Sequence, residues 1–250
     1  MSTTTKVKER PILFSGPMVR AILDGCKTQT RRVLKPQPTE KPDGRWSWIA
    51  SSSERGEQGK FQYSWPDPDG NAFTIRGREQ AVRVRCPYGS VGDRLWVRES
   101  HAIYKDAFVR EKGEEVILYR ADASAYWNMT PHDHIEAEFN PLRDSSDYEP
   151  KWTPSIHMPR WASRITLEIT GVRVERLNAI SEEDAKTEGI HNFGGGLGLF
   201  GYDPEGTPGP MVGGSAVEAF ALLWESINGP GSWSANPWVW VIEFKRSSGD

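Results

Sequence analysis

The chain has 250 residues, a formal net charge of −3 and 37 % hydrophobic residues, with 11 Trp, 9 Phe and 7 Tyr. A chain this long buries roughly 70–75 % of its unfolded surface, so it needs neither disulfides nor metals to fold. No stretch approaches the roughly 18 apolar residues of a membrane span and the start lacks a signal-peptide core, which excludes membrane and fibrous classes.

Two cysteines, Cys26 and Cys86, do not make a secreted disulfide framework. The expected location is the cytoplasm, with both thiols reduced. The charge is unevenly spread. Residues 1–35 hold eight cations (Lys6, Lys8, Arg10, Arg20, Lys27, Arg31, Arg32 and Lys35) against Glu9 and Asp24, a net of +6, so the other 215 residues carry −9. That excludes a basic nucleic-acid coat and leaves room for a local anion-attracting patch.

In chain order, residues 1–10 read as a tail and Pro11–Phe14 as a short apolar strand. Pro17 suits the first turn of a helix, Met18, Ile22 and Leu23 supply its apolar face, and Gly25 fits the position just past its end. Lys27–Val33 follows as an extended segment. Residues 34–80, 100–155 and 192–214 read as insertions, the last a glycine-rich loop or lid. Ala81–Arg85 and Arg94–Val97 read as strands. Ile165–Ile169 and Val172–Leu177 alternate as two half-buried strands around Gly171. Ser181 with Asp184 opens a short helix that closes at Gly189. Ser215 with Glu218 opens a longer one, with Val217, Phe220, Trp224 and Ile227 as its buried face. Trp238–Phe244 is a continuous apolar strand of the kind found at a sheet centre. Short strands, three helices and long insertions make an α+β fold around a small curved sheet or barrel.

The densest chemistry lies in Gly25-Cys-Lys-Thr-Gln-Thr-Arg-Arg32, where one lysine, two hydroxyls and two guanidiniums fall within six residues. Taken alone, the segment reads equally as a solvated basic strand or as donors aimed into one cleft. Glu188 sits in the last turn of a helix, against the negative end of the helix dipole, a placement that costs roughly 0.3–1 kcal/mol. A residue set against its local preference points weakly to function. Trp and Tyr rings stack bases, and Trp96, Trp161 and Trp233 are the cleft candidates among a set that is otherwise core. His132-Asp133-His134 lacks partners at zinc spacing, so no metal is expected, and no phosphate loop or nucleophile elbow is present.

At these residues the chain resembles the ASCH-domain family of the PUA-like superfamily, in the long form found in phages and prophages and often labelled "morphogenetic protein". The resemblance is carried by Gly25-x-Lys27-Thr28-x-Thr30-x-Arg32, by Gly92-Asp93-Arg94-Leu95-Trp96-Val97, by Ile165–Leu177 with the Ser181–Glu188 helix, and by Trp238–Phe244. It implies a single PUA-like domain over residues 11–245, a small curved β-barrel with short flanking helices and long loop insertions. It also implies an amidohydrolase acting on an N-acylated or modified nucleoside or nucleotide such as N4-acetylcytidine, without a cofactor. Lys27, Thr30 and Glu188 are then catalytic, and Thr28, Arg31, Arg32 and Trp96 bind substrate. Lys27 would be the general base and Thr30 the nucleophile, Glu188 would orient Lys27 or protonate the leaving nitrogen, and the oxyanion would meet backbone N–H groups near Thr28, or Arg32. The alternatives are a non-catalytic module binding RNA or single-stranded modified nucleic acid, and an accessory protein docking through its Trp-rich insertions. If phage-encoded, the chain would act in the host cytoplasm.

Overall fold

A computed structural model describes residues 7–35, 37, 39–40, 46–47, 62–64, 72–76, 81–104, 116–128, 134–136, 149–192, 200–201 and 214–247. Five strands form the main sheet: β1 (Glu9–Leu13), β2 (Gln29–Val33), β3 (Arg94–Arg98), β4 (Thr166–Arg176) and β5 (Trp238–Arg246), in the spatial order β1-β3-β4-β5-β2. β1 runs parallel to β3, and every other pairing is antiparallel. The helices are α1 (Gly16–Leu23), α2 (Glu182–Thr187) and α3 (Ala216–Asn228). Strands and helices are thus mixed around a sheet core, an α+β arrangement.

β5 lies at the centre of the site-bearing half because it is apolar on both faces. Trp240, Ile242 and Phe244 enter one buried cluster with Ile12, Phe14, Val19 and Leu95. Val239 and Val241 point the other way and pack with Ala219, Phe220 and Trp224 of α3. Period-two alternation thus places a core on each side of one strand. Trp238–Phe244, read as a continuous apolar strand, is this element.

The expected barrel is not closed among the described residues. β1 and β2 are the two edges of an open sheet, and no backbone ladder joins them. A side chain spans the gap instead: the Arg32 guanidinium donates to the Leu13 carbonyl oxygen at 2.7 Å. The two strands read on either side of Gly171 are one strand, β4, with its register against β5 shifted between Ile169 and Gly171. A β-bulge bends a strand without ending it, which explains the interruption in the sequence pattern.

α1 starts with Pro17 in its first turn and ends before Gly25, whose φ of +75° suits the residue past a helix. Ser181 Oγ accepts the Asp184 N–H, and Ser215 Oγ accepts the Glu218 N–H, each at 3.1 Å, so both N-caps form as the sequence indicates. In α3 the buried residues are Ala216, Ala219, Phe220, Leu223 and Trp224. Ile227, read as part of the buried face, is 56 % exposed.

Residues 100–155 hold more order than their weak periodicity suggests. His101–Tyr104, Val116–Tyr119, Ser124–Asn128 and His134–Glu136 pair into a four-stranded antiparallel sheet. All four residues of Val116–Tyr119 are wholly buried. The Arg164 guanidinium, over the Tyr119 ring at 4.1 Å, grips Glu99 and Asp122 and so joins this sheet to the main one. His132 and Asp133 lie outside the described residues. So does most of 192–214, where the described part is the pairing of His191–Asn192 with Phe200–Gly201. No helix among the described residues is long and apolar enough to cross a membrane.

Candidate functional site

β2 follows α1 after a short turn, and its pairing with β5 sets Thr30 opposite Ile242, Arg31 opposite Val241 and Arg32 opposite Trp240. Successive side chains of a strand alternate faces. Thr30 and Arg32 therefore share the face of the Phe14 cluster, while Gln29 and Arg31 share the face covered by α2 and α3. The outer edge of β2 opens onto a cleft of about 350 Å³ lined by Thr30, Arg31, Arg32, Glu188, residues Leu13–Ser15 and the Phe220, Leu223 and Trp224 side of α3.

Glu188 organises the floor of this cleft. It caps the C-terminus of α2 and is 4 % exposed. Gly189, with φ +98°, turns the chain away directly after it, and a side chain there would press to 3.2 Å from Ala21 Cβ. The Glu188 carboxylate accepts from Lys27 Nζ at 2.7 Å through one oxygen and from Arg31 at 3.1 Å through the other. Lys27 Nζ also donates to the Glu188 main-chain carbonyl at 2.7 Å. Two cations thus compensate the unfavourable end of the helix dipole.

Lys27 is buried beside Glu188 and is not among the residues that line the cleft. Desolvation is the largest influence on it and outweighs Glu188, so its amine is held below the ordinary lysine value, with Arg32 and Arg31 pushing the same way. Its ammonium position lies 5.8 Å from the centroid of the Phe14 ring, and the Arg32 guanidinium lies 5.3 Å from the same ring. The Thr30 hydroxyl has no hydrogen-bond partner among the described residues.

Arg31 is committed elsewhere. It donates to Glu175 at 2.6 and 3.1 Å, to Asp184 at 2.8 Å and to Glu188 at 3.1 Å. Burial opposes its charge, but the carboxylates prevail and hold it above the ordinary arginine value. Arg173 continues the network to Glu175, Asp184 and Glu243. Arg31, expected to bind substrate, lines the cleft, and three carboxylates occupy its fork.

Two further expected binders lie away from the cleft. Thr28 is exposed and does not line it, and its N–H is taken by the Thr187 carbonyl at 2.9 Å, leaving none for an oxyanion. Trp96 is 8 % exposed on β3, with the Arg98 guanidinium 4.7 Å from its ring centroid, and does not line the cleft. Its neighbours Leu95 and Val97 take the core face, so alternation turns Trp96 to the opposite side. Trp161 packs beside Met158 and Ala162, and Trp233 against the Phe220 ring, and neither lines the cleft.

Arg32 keeps capacity to spare. It donates to Leu13, but its buried Nε has no partner among the described residues, and desolvation lowers its affinity for the proton. Sequence reasoning missed Glu175, Asp184 and Arg173, whose only local signal is the same-face spacing of Arg173 and Glu175 on one strand. It read Trp224 as core without seeing that its ring lines the cleft.

Compared with known proteins, the chain matches no family model, no curated protein and no solved structure.

Proposed function

We propose that the protein is an amidohydrolase that removes an acyl group from the exocyclic nitrogen of a modified nucleoside or nucleotide of the N4-acetylcytidine type, with Thr30 as nucleophile and Lys27 as base. The observation that carries this reading is the double contact of Lys27 with Glu188, the side chain and main chain of one residue each accepting from Nζ at 2.7 Å. A neutral amine has two hydrogens and one lone pair. When the ammonium gives up its third proton, the two oxygens of Glu188 keep the two hydrogens and the lone pair is left free, and burial lowers the proton affinity that opposes this loss. Arg31 meanwhile stays as counter-ion to the Glu188 carboxylate.

The steps follow from these groups. Lys27 takes the Thr30 hydroxyl proton as Oγ attacks the acyl carbonyl, and a tetrahedral oxyanion forms. Arg32, the cationic donor with spare N–H groups in the cleft, faces the developing charge. The C–N bond breaks, the Lys27 ammonium returns its proton to the leaving nitrogen, and the acyl group remains on Thr30 as an ester. Water then attacks that ester with Lys27 again as base, releasing the carboxylic acid and Thr30. Glu188 positions Lys27 throughout and takes the orienting role; protonation of the leaving nitrogen falls to Lys27. The motif resemblance to the ASCH domain, a PUA-like fold, supports the same assignment.

A non-catalytic reader of RNA is the weaker reading. It relies on the cationic N-terminal segment, yet Lys27 and Arg31 are buried against carboxylates, Arg10 pairs with Asp93 and Arg20 donates to the Ala121 carbonyl. Little of that charge is left to track a phosphate backbone. The deciding experiment is incubation of the purified chain with N4-acetylcytidine, followed by chromatography, beside Thr30→Ala. Cytidine from the unaltered chain alone is the expected result. No product from it, or undiminished product from a folded Thr30→Ala, overturns the reading.

A further inference from the structure

Two buried N–H donors of the cleft walls are unused. Trp224 is 5 % exposed and its indole Nε1 has no hydrogen-bond partner among the described residues, and the same holds for the buried Nε of Arg32. Both residues line the one cleft, Arg32 from β2 and Trp224 from α3. Native proteins rarely leave buried donors unpaired, so two in one cavity mark where an acceptor belongs. The charge of the acceptor follows from the balance of the cleft. Arg31 and Lys27 are matched by Glu175, Asp184 and Glu188, whereas Arg32 makes no ion pair among the described residues. The rest of the α3 wall, Phe220, Leu223 and Ile227, is apolar.

We propose that Arg32 and Trp224 form a subsite for an oxyanion, a carboxylate or phosphate, on a ligand whose apolar or aromatic body lies along the α3 wall. A guanidinium and an indole N–H supply donors only, so the subsite selects against ligand groups that donate. The inference uses neither Thr30 nor Lys27 nor Glu188 and shares only Arg32 with the hydrolase reading. Joined to that reading, it makes the substrate an acylated nucleotide in preference to the neutral nucleoside.

Isothermal titration calorimetry on the full chain tests it with two matched pairs, phenyl phosphate against phenol and cytidine 5′-monophosphate against cytidine. The two bodies distinguish an aryl ligand from a nucleoside ligand. In at least one pair the anion is expected to bind about tenfold or more tightly than its neutral partner. Trp224→Phe and Arg32→Gln, each checked for fold by circular dichroism, are each expected to weaken the anion by about tenfold, the worth of a charge-assisted hydrogen bond, and to leave the neutral compound unchanged. Equal affinities within both pairs, or no binding by either anion below about 10 mM, overturn the proposal, as does an anion affinity untouched by either folded variant. Turnover of N4-acetylcytidine is measured separately. Its absence alongside anion selectivity defeats the hydrolase reading and keeps the subsite, and its presence without selectivity does the reverse.

Discussion

Lys27 Nζ donates at 2.7 Å to both the carboxylate and the main-chain carbonyl of Glu188, a residue 161 positions away in the chain. The contact ties the segment after α1 to the end of α2, and it is almost wholly shielded from water. Removing one partner of a buried ion pair costs about 3–5 kcal/mol, because the other charge stays buried and uncompensated. Glu188→Gln is therefore expected to destabilise the fold by about that much at pH 7 in urea denaturation. Adding Lys27→Met should recover most of the loss, since the double variant leaves no orphan charge and Arg31 retains Glu175 and Asp184. Equal stability of Glu188→Gln and the unaltered chain would show that the pair contributes nothing to the fold.

Asp93 holds the turn that launches β3. Its carboxylate accepts from the backbone N–H groups of Lys8 and Ser90 and from the Arg10 guanidinium, at 2.9–3.1 Å. Partial burial works against its charge, but these donors prevail and hold its pKa below the ordinary aspartate value. A carboxyl depressed in the folded state stabilises above its unfolded pKa, and the contribution is lost as pH falls through the folded value. Asp93→Asn is expected to lose about 1.5 kcal/mol at pH 7, the difference shrinking below about pH 4. A difference that stays constant from pH 7 to pH 2.5 in denaturation curves would contradict the assignment.

The two thiols differ in access and chemistry. Cys26 is exposed, whereas burial pushes the Cys86 thiol up to about 11. The thiolate is the reactive form, so Cys86 is inert at neutral pH. A disulfide reagent at pH 8 is expected to titrate one thiol in the folded protein and both in denaturant. Two rapid equivalents without denaturant would show that Cys86 is open.

Much of this architecture was legible because its causes are local. Gly25 with its positive φ, the Ser181 and Ser215 caps, and the two-faced apolar strand Trp238–Phe244 each follow from a few consecutive residues. The dense donor set between Lys27 and Arg32 also flagged the cleft. Its electrostatics were not legible, because Glu175 and Asp184 reach Arg31 across 144 and 153 positions of chain. That pairing buries the Arg31 side chain against carboxylates. Trp96 shows the limit of reading a ring beside a motif as a base platform: the strand order places it three strands from β2. Closure into a barrel depends on what lies between two sheet edges, which no periodicity records.

The order in which β2 and β5 are made has a consequence during synthesis. β2 pairs with β5 and with no other strand of the main sheet. Ribosomes add roughly 5–20 residues per second, so the 205 positions from Val33 to Trp238 take roughly 10–40 s to emerge. Through that interval Lys27, Thr30 and Arg32 have no strand to lie against, and the cleft cannot exist on a nascent chain. Any partner that recognises the assembled cleft is blind to the protein until Trp238–Arg246 has been translated and inserted between β4 and β2.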